Sequence, residues 1–283
     1  MSSLAGAALW LPASSCGPHC LPADDAVPRV GPAVMWGRVI AVTAVLLGAV
    51  LALPVIALST PRGRARLTRP FARAVLAALG VRHRASGRIP QRGALLVANH
   101  VSWLDVLVLL AYAPVRLLAK REVRGWPAIG SLAAAMGTVF IDRTRPRTLP
   151  RTVADVADAL RGGGVVAVFP EGTTWCGRNG GPFRPAMFQA AVDAQAPVVP
   201  VALRFALADG TGTTIAAFLG DDTLLASVRR VVATRGLTVA LRAHPALYPM
   251  VGASRRALAR AAGAAVHPDA VGPNRPAALR LAA

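Results

Sequence analysis

His100 and Asp105 stand five positions apart in "VANHVSWLD", residues 97–105, between two strongly apolar runs. A neutral imidazole whose Nδ1–H is held by a carboxylate keeps its other nitrogen free to take a proton from an alcohol. The carboxylate then stabilises the imidazolium that forms. Spacing alone leaves a second reading open, a loop histidine bonded to a nearby acid. Two further stretches bear on the choice. "GTVFIDRTRP" places Arg143 just past an apolar run, where a planar guanidinium fork could grip a phosphate. "VVAVFPEGTTW" leads into Phe169-Pro170-Glu171-Gly172-Thr173, where glycine permits close backbone approach and free amides could face an anion.

Short apolar runs and helical periods alternate around these stretches. Strands are expected at 94–98, 115–119, 137–141, 165–169, 197–203, 213–218 and 237–241. Helices are expected near 102–112, 122–135, 149–161, 185–194 and 221–234, with one more from Ser254 to Val266. In 149–161, Val153, Val156 and Leu160 share a face and Gly162 follows as a C-terminal cap. The alternation predicts a single α/β domain, 91–245, with a mostly parallel central sheet flanked by helices. In such sheets ligands collect beyond the carboxyl ends of the strands. His100, Arg143 and the Glu171 turn would all lie there, and Ser102 could cap the helix that carries Asp105.

"NHVSWLD", "GTVFIDR", "FPEGT" and "VVPVAL" together resemble, in order and spacing, the four sequence blocks of the 1-acylglycerol-3-phosphate acyltransferase family. "AKREVRGWPAIG" resembles that family's segment between the first two blocks, and the likeness extends from about Leu67 to Arg242. The resemblance implies a membrane enzyme that moves a fatty acyl group from acyl-CoA or acyl carrier protein to the sn-2 hydroxyl of a lysophospholipid. His100 would be the general base and Asp105 its orienting partner. Arg143 would bind the acceptor phosphate, with Lys120 and Arg184 as further phosphate candidates. Glu171, Gly172 and Thr173 would shape the acceptor and oxyanion region, and Pro200 would close the pocket wall. No cofactor or metal is implied. Relatives with these blocks acylate lysophosphatidic acid, other lysophospholipids or lyso-ornithine lipids, and "FPEGTTW" does not separate them.

Composition sets the surroundings. The chain has 283 residues, 54% of them apolar, and 32 basic against 13 acidic residues for a formal charge of +19. Such an excess favours an anionic partner, nucleic acid or an acidic lipid surface. Its distribution favours lipid. No acidic residue lies between Asp25 and Asp105, and nine arginines crowd the stretch from Arg62 to Arg92. They follow "VIAVTAVLLGAVLALPVIAL", Val39 to Leu58, an uncharged run of 20 residues, about the length that spans a bilayer core.

Residues 35–60 are therefore expected to form a transmembrane or membrane-anchor helix, with Pro54 as a kink. Residues 61–90 form a basic amphipathic region in which Leu67, Phe71, Val75 and Leu79 share a stripe. The arginines place the C-terminal side, and the catalytic domain, on the cytoplasmic side of the cell membrane, facing anionic lipids. A cleaved signal peptide starting at Met35 is the rival reading. Aromatic residues make up only 5% of the chain, which speaks against a membrane-tethered nucleic-acid binder. An intact His–Asp pair speaks against a non-catalytic lipid scaffold.

Residues 1–34 lack periodicity and are expected to be unstructured, as is the end of the 246–283 segment. Cys16 and Cys20 flank His19 in "CGPHC", but no second Cys/His pair lies at metal-ligand spacing, and Cys176 reads as a bystander thiol.

Overall fold

A computed structural model describes residues 12–23, 25–126, 129–250 and 252–267. Its elements in chain order begin with α1 (Pro32–Leu51), α2 (Leu53–Leu58), α3 (Pro61–Ala78), β1 (Arg82–Ser86), β2 (Ala94–Ala98) and α4 (Leu104–Tyr112). Then come β3 (Val115–Lys120), α5 (Ile129–Ala135), β4 (Val139–Ile141), α6 (Leu149–Arg161), β5 (Val165–Val168) and α7 (Phe188–Asp193). β6 (Val198–Ala206), α8 (Leu224–Ala233), β7 (Thr238–Ala243) and α9 (Arg255–Val266) complete the described chain.

The seven strands make one sheet in the order β1-β7-β6-β2-β5-β3-β4. Strands β2 to β6 run parallel, while β7 pairs antiparallel with β6 and carries β1 parallel to itself. "ALLVA" in β2 and "VVAV" in β5 are buried throughout, as expected of central parallel strands covered on both faces. Because successive side chains of a strand point to opposite faces, each of these strands feeds two cores. Leu96, Ala98 and Ala167 pack on one face with Ala72 and Leu76 of α3 and Leu109 of α4. Leu95, Val97 and Val166 pack on the other with Val156 of α6, Phe188 of α7 and Leu258 of α9.

Several expectations need correction. β1, "RHRAS", alternates exposed and half-buried residues with basic side chains, so no apolar run announces it. It extends the sheet beyond the expected start of the domain at residue 91. The run 213–218 is not a strand; Thr214 to Ala217 are buried as irregular chain, joined to the N-terminal segment by the Thr214 hydroxyl, which donates to the Cys20 carbonyl at 2.6 Å. That segment, expected to be unstructured, packs from Pro12 onward, and Cys16 and Val27 are buried in the core; residues 1–11 and 268–283 lie outside the described residues.

The apolar span begins earlier than its composition implies and is interrupted. α1 ends at Leu51, and α2 starts after Ala52 with Pro54 in its first turn, where a missing N–H does no harm. α1 is the one described helix long and apolar enough to cross a membrane. Met35, Val39, Val42 and Val45 pack against the domain, while Trp36, Ile40, Leu47 and Leu51 are exposed on other sides. Arg38 fastens the helix: its guanidinium donates to the carbonyls of Val232 and Thr234, each at 2.8 Å. Gly80 makes room for it. Gly80 has φ +74°, and a Cβ there would come within 2.2 Å of the Arg38 guanidinium carbon.

Candidate active site

Strand order alone assembles the candidate residues. His100 follows β2, the Glu171 turn follows β5, Lys120 ends β3 and Arg143 follows β4. These strands are parallel and adjacent in the order β2-β5-β3-β4, so their carboxyl ends set a base, an acidic turn and two cations along one rim of the sheet.

The base is built in steps. Asn99 leaves β2 with its side chain bonded to the Leu203 backbone of β6, accepting from N–H at 2.7 Å and donating to C=O at 3.0 Å. The next residue, His100, is thereby turned out of the sheet, its side chain 22% exposed. Asp105, in the first turn of α4, is fully buried, and its Oδ2 faces His100 Nδ1 at 2.9 Å. The same oxygen accepts the backbone N–H groups of Val101 (2.7 Å) and Ser102 (2.8 Å). Three donors on one oxygen fix the carboxylate, and that fixes the tautomer. Nδ1 must carry the proton, leaving Nε2 as the basic nitrogen. The ring stacks on Phe169, centroids 4.0 Å apart and planes 14° apart, which sets its rotation. Ser102 is fully buried, and its hydroxyl accepts from Leu104 N–H at 3.3 Å.

Glu171 is the joint between the blocks. Its Oε2 accepts the backbone N–H of His100 at 2.7 Å. Its Oε1 lies 3.1 Å from Gly181 N–H and 3.0 Å from His267 Nε2. The residue is 4% exposed, so its carboxylate acts on the site by holding both loops. In return Trp175 N–H donates to the His100 carbonyl at 2.8 Å. Gly172 turns with φ +78° and lies so close to Pro12 that a Cβ would meet that ring at 2.6 Å; Thr173 beside it is half-exposed.

The cations converge on this turn. Arg143 donates to the Gly172 carbonyl. Arg184 passes close by: its backbone N–H donates to the Pro170 carbonyl at 2.9 Å, and its side chain runs beside Gly172. Desolvation holds the Arg143 pKa below the ordinary arginine range; Glu122 opposes this and the neighbouring Arg184 adds to it. Desolvation and then Arg143 hold Lys120 below the ordinary lysine range, again against Glu122. Two arginines beside one turn, with Lys120 near Arg143, suit an anionic ligand. A separate open depression of about 660 Å³, lined by Arg116, Phe140 and Asp158 among others, contains neither His100 nor Arg143.

The eight residues expected to act in catalysis or substrate binding lie on or beside this rim, and Pro200 lies within β6. Sequence reasoning missed Asn99, Phe169, His267 and Pro12. Asn99 and Phe169 sit inside the quoted blocks, but a lone histidine after the last helix carries no signal.

An acyltransferase is the class this fold and site define, and the Acyltransferase family model matches residues 80–204. The chain is 36% identical over 181 residues to a 1-acyl-sn-glycerol-3-phosphate acyltransferase from Neisseria meningitidis, covering 63% of this chain and 71% of that protein. It is 38% identical over 221 residues to a lyso-ornithine lipid O-acyltransferase from Pseudomonas aeruginosa, covering 78% and 84%. In fold it is similar to the crystal structure of the 1-acyl-sn-glycerophosphate (LPA) acyltransferase PlsC from Thermotoga maritima, with a TM-score of 0.65, 21% identity, and coverage of 83% of this chain and 92% of that one. The chain belongs to the 1-acyl-sn-glycerol-3-phosphate acyltransferase family of glycerolipid acyltransferases.

Proposed function

We propose that the chain transfers an acyl group from acyl-CoA or acyl carrier protein to the sn-2 hydroxyl of 1-acylglycerol-3-phosphate, giving phosphatidic acid. The observation that carries this reading is the placement of Arg143 and Arg184 at the Gly172 turn, with Lys120 near Arg143, on the same rim as the His100–Asp105 pair. A phosphate held by these cations would leave the rest of the acceptor to reach His100.

Nε2 of His100 takes the proton of the acceptor hydroxyl as its oxygen attacks the thioester carbonyl. The tetrahedral oxyanion is stabilised by backbone N–H groups at the turn, fixed in advance. The intermediate collapses by breaking the C–S bond, and the imidazolium returns its proton to the departing thiolate. Asp105 stabilises the cation between the two transfers. No acyl-enzyme is needed, since the Ser102 hydroxyl is buried in the helix start.

The exposed apolar sides of α1 support a location at a membrane, and the arginines that follow it support anionic lipids as partners and the cytoplasmic face as the side of the domain. A reporter fused after residue 90 should read cytoplasmic.

A second reading, acylation of a lyso-ornithine lipid, is favoured by the longer match to the Pseudomonas enzyme, 221 residues against 181. The experiment that separates them supplies membranes containing the protein with labelled donor and both acceptors, beside a His100→Ala control. Label in phosphatidic acid supports the first reading. Label in the ornithine lipid alone overturns it, and transfer by the variant at the wild-type rate overturns the mechanism.

A further inference from the structure

The fold brings three cysteines of distant sequence origin together. Cys16 and Cys20 come from the N-terminal segment, and Cys176 lies on the loop after the Glu171 turn. Their sulfur atoms all lie within 4.8 Å of one another. Cys16 and Cys176 are buried and Cys20 is half-buried. "CGPHC" has no further ligand pair at sequence spacing, so only the folded chain can supply a third thiol.

We propose that Cys16, Cys20 and Cys176 form a structural site for a thiophilic divalent cation, Zn²⁺. Two sulfurs bound to one tetrahedral zinc, each at about 2.3 Å, lie about 3.8 Å apart, and thiolates select such soft-accepting ions over Mg²⁺ or Ca²⁺. The cluster already has the surroundings of a thiolate site. Cys176 N–H donates to Cys16 Sγ at 3.3 Å. Such a donor spreads the charge of a bound thiolate. Each thiol releases its proton to solvent on binding, so the three thiolates and the dication carry one net negative charge. His19 is exposed and outside the cluster, which leaves the fourth position to a water molecule.

A disulfide explains the arrangement less well, because any pairing of two thiols strands a third in the same pocket. The ion also has a mechanical use. Between Pro12, which covers Gly172, and Cys20, whose carbonyl is bound by Thr214, the N-terminal segment lies across the site loop, and a metal would close that strap onto Cys176. This inference does not depend on which lipid is the acceptor.

The test uses the full chain purified in detergent. We expect about one zinc per chain by elemental analysis, and Co²⁺ exchanged into the protein should show intense near-ultraviolet thiolate-to-metal charge transfer. Cys16→Ser, Cys20→Ser and Cys176→Ser should each abolish or shift that band. A second measurement needs no variant. Native alkylation followed by mass spectrometry should find all three thiols protected until a chelator is added, with residues 12–23 becoming susceptible to protease at the same time. Finding a disulfide between any two of these cysteines would overturn the proposal. So would three thiols that alkylate freely in a protein carrying no metal, and so would a Co²⁺ spectrum unchanged by all three substitutions.

Discussion

Glu171 Oε2 accepts the backbone N–H of His100 at 2.7 Å, so the acidic turn of one block positions the histidine of another through its main chain. The other oxygen serves Gly181 and His267. A glutamine offers one acceptor oxygen and an amide that only donates, so Glu171→Gln must set a donor against one of these N–H groups. Leaving a buried donor unpaired costs about 1–3 kcal/mol. The expected result is a lower melting temperature together with reduced turnover, read by thermal denaturation and acyl-transfer assay. Wild-type values in both would show that the joint is dispensable.

Asp105→Asn separates orientation from charge. The asparagine oxygen can take the place of Oδ2 and keep Val101, Ser102 and His100 bonded, but it cannot stabilise an imidazolium. Turnover should fall by roughly 10²- to 10⁴-fold. Stability should fall only by about 1–3 kcal/mol, for the amide left without an acceptor. Single-turnover rates compared with denaturation midpoints check this.

Arg143 should matter to the acceptor and not to the donor. Arg143→Ala removes a charge-assisted contact worth about 1.5–3 kcal/mol, so KM for a phosphate-bearing acceptor should rise by roughly ten- to a hundredfold while KM for the thioester stays put. Arg143→Lys should restore it only in part, because a point charge cannot reproduce the fork. Equal losses on both substrates would place Arg143 elsewhere in the reaction.

Acid should loosen the fold before it protonates carboxylates. Burial, then Arg73, holds the His83 imidazole below the ordinary histidine range; burial, then Arg242 and Arg204, does the same to His244. In the unfolded chain both take up protons near pH 6.5, and in the folded chain only at lower pH. Over that window the unfolded state binds more protons, so stability is full above about pH 6.5 and is lost as pH falls through the folded values. Denaturation midpoints should drop on acidification, and His83→Gln with His244→Gln should flatten the drop. A midpoint that rose would reverse the sign.

Arg38 and Gly80 should be coupled. Gly80→Ala forces a side chain into φ +74° and into the guanidinium of Arg38, so it should cost more than the ~1 kcal/mol of backbone strain alone. Arg38→Ala should cost the two carbonyl bonds. With both changed, the collision disappears, so the double variant should lose less than the two single losses added. Additive midpoints would show that the two do not meet.

The catalytic elements were legible because each carries a local pattern. "ALLVA" and "VVAV" are short apolar runs, and helix 149–161 has a clear stripe and a glycine end. What escaped has no local signature. β1 is a basic edge strand whose partner, β7, lies more than a hundred residues away. The run 213–218 reads as a strand because it is apolar, but it is buried as irregular chain, with its carbonyls at Ile215 and Ala217 taken by Arg230 and Thr214 bonded to the N-terminal segment. The same segment carries Pro12 and two of the three cysteines to the site loop, contacts fixed by the return of the chain. His100 and Asp105 could be paired from spacing and blocks, whereas the place of Glu171 beneath the histidine could be known only from the order of β2 and β5 in the sheet.

The Arg38 clamp makes α1 a keel for the catalytic domain. A helix on a slack linker lets its cargo tumble, but one bolted to the carbonyls of Val232 and Thr234 hands its own tilt to the sheet. Whatever surface takes up Trp36, Ile40 and Leu51 thereby also sets the heading of the rim that bears His100, and the depth from which a hydroxyl must approach.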